Sequence, residues 1–192
     1  MRRKTFDALL TLTGLVLAVI LAVAGGLLAW GNSFVNSQVH DQLAAQKIFF
    51  PAANSEGLPA KEFPDLQQYG GQQLLTGDQA KAYADQYIAV HIKQIGGGKT
   101  YAELSAVSRA NPTDATAKAT VDTVFRGETL RGLLLNAYAF GTMGRIAGYA
   151  AIASFIGAAL LLALVVLGFL HLRRTPEDAL LGAPVPADLV TG

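Results

Sequence analysis

A chain of 192 residues with 52% apolar residues, 15% charged residues and a net charge of +1 has no surplus of positive charge with which to hold nucleic acid. It contains no cysteine, which excludes disulfides, thiolate metal sites and a cysteine-linked lipid anchor. The apolar residues are unevenly spread, and that unevenness organises everything else.

Residues 1–7, with Arg2, Arg3 and Lys4, read as a cytoplasmic N-terminus. Ala8 to Trp30 then supplies 23 residues without a charge. At about 1.5 Å per residue this run exceeds the roughly 30 Å hydrocarbon layer, so 8–30 is expected to be a transmembrane helix. It is longer than the apolar core of a signal peptide, so an uncleaved anchor is expected. Gly14, Ala18, Ala22 and Gly26 recur at every fourth position and should let another helix backbone approach closely. Phe34, Val35, Val39 and Leu43 keep a helical spacing, which carries the helix outward to about Lys47.

The texture then changes. The stretch from Ile48 to Gly71 contains Pro51, Pro59 and Pro64 and no sustained period. It reads as an extended connector that packs Ile48, Phe49 and Phe50 against helices, with a short turn at Asp65–Tyr69. Thr76 and Gln79 form a capping-box pattern. After them Ala80, Tyr83, Ala84, Tyr87, Ile88, His91, Ile92 and Ile95 fall on one buried helical stripe.

That stripe ends at Gly96-Gly97-Gly98-Lys99-Thr100, which has the closing letters of a phosphate-binding loop. Such a loop needs a first glycine where Lys93 stands, and a strand before it. The preceding segment is a periodic helix, so no nucleotide site is expected. Gly96 instead ends the helix in the left-handed conformation, and Thr100 with Glu103 caps the next one. That helix runs from Tyr101 to about Ala110 and stops at Asn111-Pro112. Asn111 or Thr113 should cap the last helix. Ala117, Val121, Val124 and Phe125 continue its apolar stripe. Gly127, Gly132, Gly141 and Gly144 predict a weakened junction with the next element, open to a kink.

Ile146 to Leu172 is a second run, of 27 residues, without Asp, Glu, Lys or Arg, and reads as transmembrane helix 146–172. Ala150, Ser154 and Ala158 repeat every fourth residue, with Gly157 beside them. Arg173 and Arg174 follow, and residues 173–192 read as a disordered cytoplasmic tail. Residues 32–144 carry nine Lys/Arg against ten Asp/Glu. The positive-inside rule therefore places both termini in the cytoplasm and 32–144 outside.

Chemistry-bearing clusters are sparse. His40 and His91 with one carboxylate could in principle make a two-histidine iron site, yet no local pairing supports one. Ser105 and Ser108 have no evident base, and no nucleophile elbow is present. The densest charged patch is Arg126, Glu128 and Arg131, a candidate juxtamembrane contact for a partner's acidic face or for lipid headgroups. The ordinary alternative is a solvated turn with an ion pair between Glu128 and Arg131.

The segments LLTGDQAKAYADQYIAVHI, GGKTYAEL, FRGETLRGLLLNAYAFG and HLRR resemble a family of two-span actinobacterial membrane proteins. The family is essentially uncharacterised, so the resemblance implies the architecture and no functional residues. Some of its members are labelled automatically as aromatic ring-opening dioxygenases, a label these residues do not support.

The sequence therefore predicts an all-α membrane protein. Two transmembrane helices, N-in and C-in, flank a small helical extracytoplasmic domain in the bacterial plasma membrane. No enzyme activity and no cofactor are expected. The expected partners are the bilayer and another membrane protein or a second copy, with neither nucleic acid nor nucleotide. An accessory or interaction subunit of an envelope complex is the first functional reading. A sensor input acting through a partner is the alternative, and a metal-dependent enzyme comes third.

Overall fold

The computed structural model describes residues 2–176 and 180–181. The tail reading for 173–192 falls mainly outside the described residues. Within them, all regular elements are helical, and isolated antiparallel bridges pair Arg2 with Leu180 and Phe49 with Gln73. The helices are α1 (Arg3–Gln46), α2 (Gly77–Ala82), α3 (Ala89–Ile95), α4 (Tyr101–Ala110) and α5 (Ala115–Arg174). A 3₁₀ turn occupies Pro64–Tyr69, and a π-helical turn, Tyr83–Ile88, joins α2 to α3. α1 and α5 are both long and apolar enough to cross a membrane. The chain divides into two compact units, Met1–Trp30 with Ala147–Gly192, and Gly31–Ile146.

In the first unit the N-terminal part of α1 and the C-terminal part of α5 pair along a seam. Its buried or half-buried positions are Asp7, Thr11, Gly14, Ala18, Leu21, Gly25 and Leu28 on α1. On α5 they include Ala147, Ala151, Ser154, Ala158, Leu161, Val165 and Gly168. The spacing alternates three and four, the seven-residue repeat that keeps a seam facing its partner in a left-handed pair. This corrects the every-fourth stripe. Gly14 and Ala18 lie on the seam, but Ala22 and Gly26 are exposed, and Leu21 and Gly25 replace them. Each step of four overshoots a helical turn by about 40°, so three such steps leave the seam by about 120°. On α5, Ser154 and Ala158 lie on the seam with Ala151, while Ala150 is half-buried at its edge and accepts the Ser154 hydroxyl at 2.8 Å.

The glycines on this seam are there for contact. A Cβ on Gly25 would stand 3.0 Å from the Phe155 ring, and one on Gly168 only 2.5 Å from Thr11 Oγ1. Thr11 donates its hydroxyl to the Asp7 carbonyl at 2.7 Å, which satisfies it within its own helix.

The second unit has a different interior, built from large side chains. Val39 and Leu43 of α1 meet Phe50, Leu58, Phe63, Leu66 and Leu74 of the connector. Ala80, Ala84, Ile88 and Ile92 enter from the α2–α3 segment, and Val124 and Leu134 from α5. The connector thus supplies the largest side chains of the core rather than merely spanning it. α1 ends at Gln46, before Lys47 with its φ of 52°, and Gln73 Nε2 donates to the Ala44 carbonyl, which also accepts from Lys47 N–H. Phe50 N–H donates to the Gln72 carbonyl and Leu74 N–H to the Ile48 carbonyl, so the connector returns alongside itself. That pairing alternates side chains, which buries Phe50, half-buries Ile48 and leaves Phe49 54% exposed, against the expectation that all three pack inward. Gln67 holds the loop. Its Oε1 accepts from Asn54 N–H, and its Nε2 donates to the Leu58 and Phe63 carbonyls.

Both capping boxes form. Gln79 N–H donates to Thr76 Oγ1 and Thr76 N–H to Gln79 Oε1. Glu103 N–H donates to Thr100 Oγ1 and Thr100 N–H to Glu103 Oε2, which holds the Glu103 carboxyl below its ordinary value. The glycine turn needs one correction. Gly96 stays right-handed at the end of α3, while Gly97 and Gly98 take positive φ of 58° and 79°. Gly98 N–H donates to the Lys93 carbonyl and Gly97 N–H to that of Gln94, the paired bonds of a Schellman turn one residue later than expected. Asp114, rather than Asn111 or Thr113, caps α5, accepting from Ala117 N–H at 2.9 Å.

α5 continues unbroken through the glycines of the predicted weak junction. Two of them admit close neighbours instead. A Cβ on Gly127 would meet Ile92 at 2.8 Å, and one on Gly144 would meet Val35 and Asn36 at 3.3 Å.

Candidate interaction surfaces

Three surfaces of the second unit combine exposure with defined geometry. The first is a groove between α1 and α5 with a volume of about 440 Å³. Its floor is Val35, Val39, Leu43, Leu134 and Ala137, all buried or half-buried. Gln38, Gln42 and Gln46 recur at every fourth position of α1 and line one rim, exposed. Asn136 and Leu133 stand on α5, while Phe34 and Phe140 are 51% and 58% exposed. None of the lining residues carries a charge. Each glutamine can lay its methylenes along the apolar floor and keep its amide in water.

The second is the ionic link between the α2–α3 segment and α5. Asp85, on the π turn, accepts from Lys81 one helical turn earlier and from Arg131 of α5 at 3.1 Å. Arg131 also reaches Glu128 at 3.4 Å. The hydrogen bond from Lys81, reinforced by Arg131, holds the Asp85 carboxyl below its ordinary 3.8 and raises the Lys81 ammonium above its own. Both terminal nitrogens of the Arg131 guanidinium are engaged, Nη2 with Asp85 and Nη1 with Glu128, while its Nε is buried without a hydrogen-bond partner. The charged patch read from the sequence is thereby divided. Arg131 and Glu128 belong to the link, and Arg126 pairs with Asp122 at 2.9 Å on an exposed face. Arg131 precedes Ile146 by fifteen positions of one helix, about 22 Å. Arg145 is paired too, with Asp78 across the helices and with Thr142 Oγ1 at 3.2 Å.

The third lies where α4 meets the start of α5. α4 buries no residue completely. Tyr101 and Phe125 are 41% and 52% exposed, and their rings meet at 5.5 Å. Ser108, Lys118, Val121 and Asp122 complete a concavity of about 230 Å³ around them.

The remaining titratable groups serve packing. Tyr83 and Tyr87 extend a run of ring contacts that joins Phe50, Tyr69, Phe63 and His91. Burial raises both phenols above their ordinary value, so they stay neutral. His91 Nδ1 donates to the Tyr87 carbonyl at 2.8 Å and its ring stacks on Phe63. His40 lies on exposed α1 beside Asp41. Among the described residues no group of three or more His, Asp or Glu side chains converges on a metal-sized site. Ser105 accepts a hydrogen bond from Arg109, and Ser108 lines the third surface.

Sequence reasoning missed the groove and the Tyr101–Phe125 contact. The signal for the groove was present as glutamine at every fourth position beside the apolar stripe. Tyr101 and Phe125 are 24 residues apart with no pattern linking them. Compared with protein-family profiles, curated proteins and solved structures, the chain matches none.

Proposed function

We propose that this is a non-enzymatic integral membrane protein that serves as an accessory or interaction subunit of a membrane or cell-envelope complex. In this reading both termini lie in the cytoplasm and residues 32–144 lie outside, as the distribution of Lys and Arg requires. The observation that carries the reading is the Tyr101–Phe125 surface. Phe125 precedes Ile146 by 21 positions of one helix, about 31 Å along it, and is half-exposed. Two half-exposed aromatic rings in a polar-rimmed concavity are suited to a protein partner.

The test is purification from native membranes in mild detergent. The chain should retain a partner in fixed ratio, and Phe125→Glu should release it while leaving the chain folded. A chain that emerges alone and monomeric overturns the reading. Orientation is checked with single cysteines, since none is native. Lys118→Cys should react with an impermeant maleimide in intact cells, and Thr5→Cys only after permeabilisation. The opposite pattern overturns the orientation. The groove favours a second reading, an extracytoplasmic sensor input acting through a partner, because its volume is in the range of small-ligand sites.

A further inference from the structure

We infer that the α2–α3 segment is a conformational switch with two registers, and that the Asp85–Arg131 link selects the register of this structure. This holds whether or not the chain crosses a membrane or binds a partner at Tyr101 and Phe125.

Ala80, Ala84, Ile88 and Ile92 are all buried, each four positions after the last. On an α-helix a step of four overshoots a turn by about 40°, so three steps would carry Ile92 about 120° out of line with Ala80. The π turn removes this error. Ala89 N–H donates to the Ala84 carbonyl five residues back, so one turn takes in one more residue than an α turn does. One residue is about 100° of rotation, most of the overshoot.

Wound as α throughout, the same segment would turn a different set inward. Measured from Ala84, Ile92 would stand about 80° off the line and Ile95 only about 20°. In this structure the order is reversed, with Ile92 8% exposed and Ile95 49%. The exchange trades one isoleucine for another, so nearly the same apolar surface leaves water. It also replaces a rare π turn with the common α winding. The apolar stripe of the sequence holds both sets, and Tyr87, His91 and Ile95 serve the α register.

The upstream end of the segment is fixed. The Thr76–Gln79 box caps α2, and a Cβ on Gly77 would stand 3.1 Å from the Ala137 carbonyl oxygen of α5. Ile92 meets α5 as well, at Gly127, so the buried line faces α5. Asp85 lies just after Ala84, inside the π turn. The turn rotates less per residue than an α-helix, which keeps Asp85 close enough to α5 to accept from Arg131 at 3.1 Å. α winding swings Asp85 away from that line, so the link belongs to the π register.

Single cysteines in the full chain, solubilised in mild detergent, test this, since none is native. With Asp85 in place, Ile92→Cys should react with a maleimide at least about tenfold more slowly than Ile95→Cys. Adding Asp85→Asn, or Arg131→Gln, should bring the two rates level or invert them. An unchanged ratio in a folded Asp85→Asn chain overturns the inference. So does rapid reaction at both positions, the result for a segment that has simply come loose. A second variant decides if neither substitution yields a folded chain. Deleting the exposed Gln86 removes the extra residue and gives α winding with Ile92 still inward. The deleted chain should melt cooperatively, keep the slow Ile92→Cys reaction and no longer respond to Asp85→Asn. A deletion chain that does not fold, or in which Ile92→Cys becomes the faster, overturns the inference.

Discussion

The same two helices are held together twice in this chain, by opposite means. Between Thr11 and Leu28 of α1 and the facing stretch of α5, small Gly, Ala, Ser and Thr residues alternate with Leu and Val and admit side chains of the facing helix, as Gly14 admits Val165 and Gly25 admits Phe155. In the second unit the interior is Phe, Leu, Ile and Val, contributed largely by a connector that belongs to neither helix. The difference follows from the surroundings each composition suits. Where apolar surface already faces lipid, large apolar side chains gain little by meeting, and close packing is the remaining attraction. Where water is the alternative, each large buried side chain adds about 1.5–3 kcal/mol from transfer.

This contrast can be broken at either end. The largest effect is expected from Phe50→Ala, which empties the centre of the second interior and should cost about 3–5 kcal/mol. Thermal unfolding of the detergent-solubilised chain, followed by near-ultraviolet circular dichroism, would show it. Gly25→Leu attacks the seam by overfilling, since even a Cβ there lies 3.0 Å from Phe155, and should cost about 1–3 kcal/mol. The two variants together sharpen the comparison. If the interiors are independent, Gly25→Leu leaves the near-ultraviolet signal of the aromatic cluster unchanged.

Asp85→Asn should cost about 1–2 kcal/mol, because it leaves the half-buried Arg131 with Glu128, at 3.4 Å, as its charged partner in this link. The sign of its pH dependence is fixed. The folded Asp85 pKa lies below the ordinary 3.8, so its contribution is complete above that value and fades as pH falls through the folded pKa. The gap in melting temperature between wild type and Asp85→Asn should therefore be wide at pH 6 and should close in acid. A gap that widens in acid would contradict the link. The smallest effect is expected from Thr100→Ala, about 1 kcal/mol, through the loss of a helix cap. Hydrogen exchange at the start of α4 should report it without change elsewhere.

Much of the helical order was legible because its signals are local. Thr76 with Gln79 and Thr100 with Glu103 are three residues apart, and the long apolar runs announce themselves. What was not legible depends on contacts between distant residues. Nothing near Phe49 says that it will face away while Phe50 turns inward, because the pairing of Phe49 with Gln73 sets that choice. The small-residue stripe was visible but was assigned the wrong period, since Gly14 and Ala18 fit both a repeat of four and a repeat of seven. Arg131 was singled out as exposed charge, and only the π turn that carries Asp85 shows its role as a cross-helix tie. Of the candidate surfaces, the glutamine series could have been found from sequence, whereas the Tyr101–Phe125 contact could not.

The seam between α1 and α5 also imposes a timetable. Gly14 packs against Val165, which is 151 positions later in the chain. At about 5–20 residues per second of synthesis, α1 waits roughly 8–30 s before its neighbour exists. A strongly polar seam would spend that interval exposed and open to wrong partners. Gly14, Ala18 and Gly25 present no side-chain group to mispair, and Thr11 is already occupied by its own helix. Their small size, which fits the finished pair, also leaves the unfinished one inert.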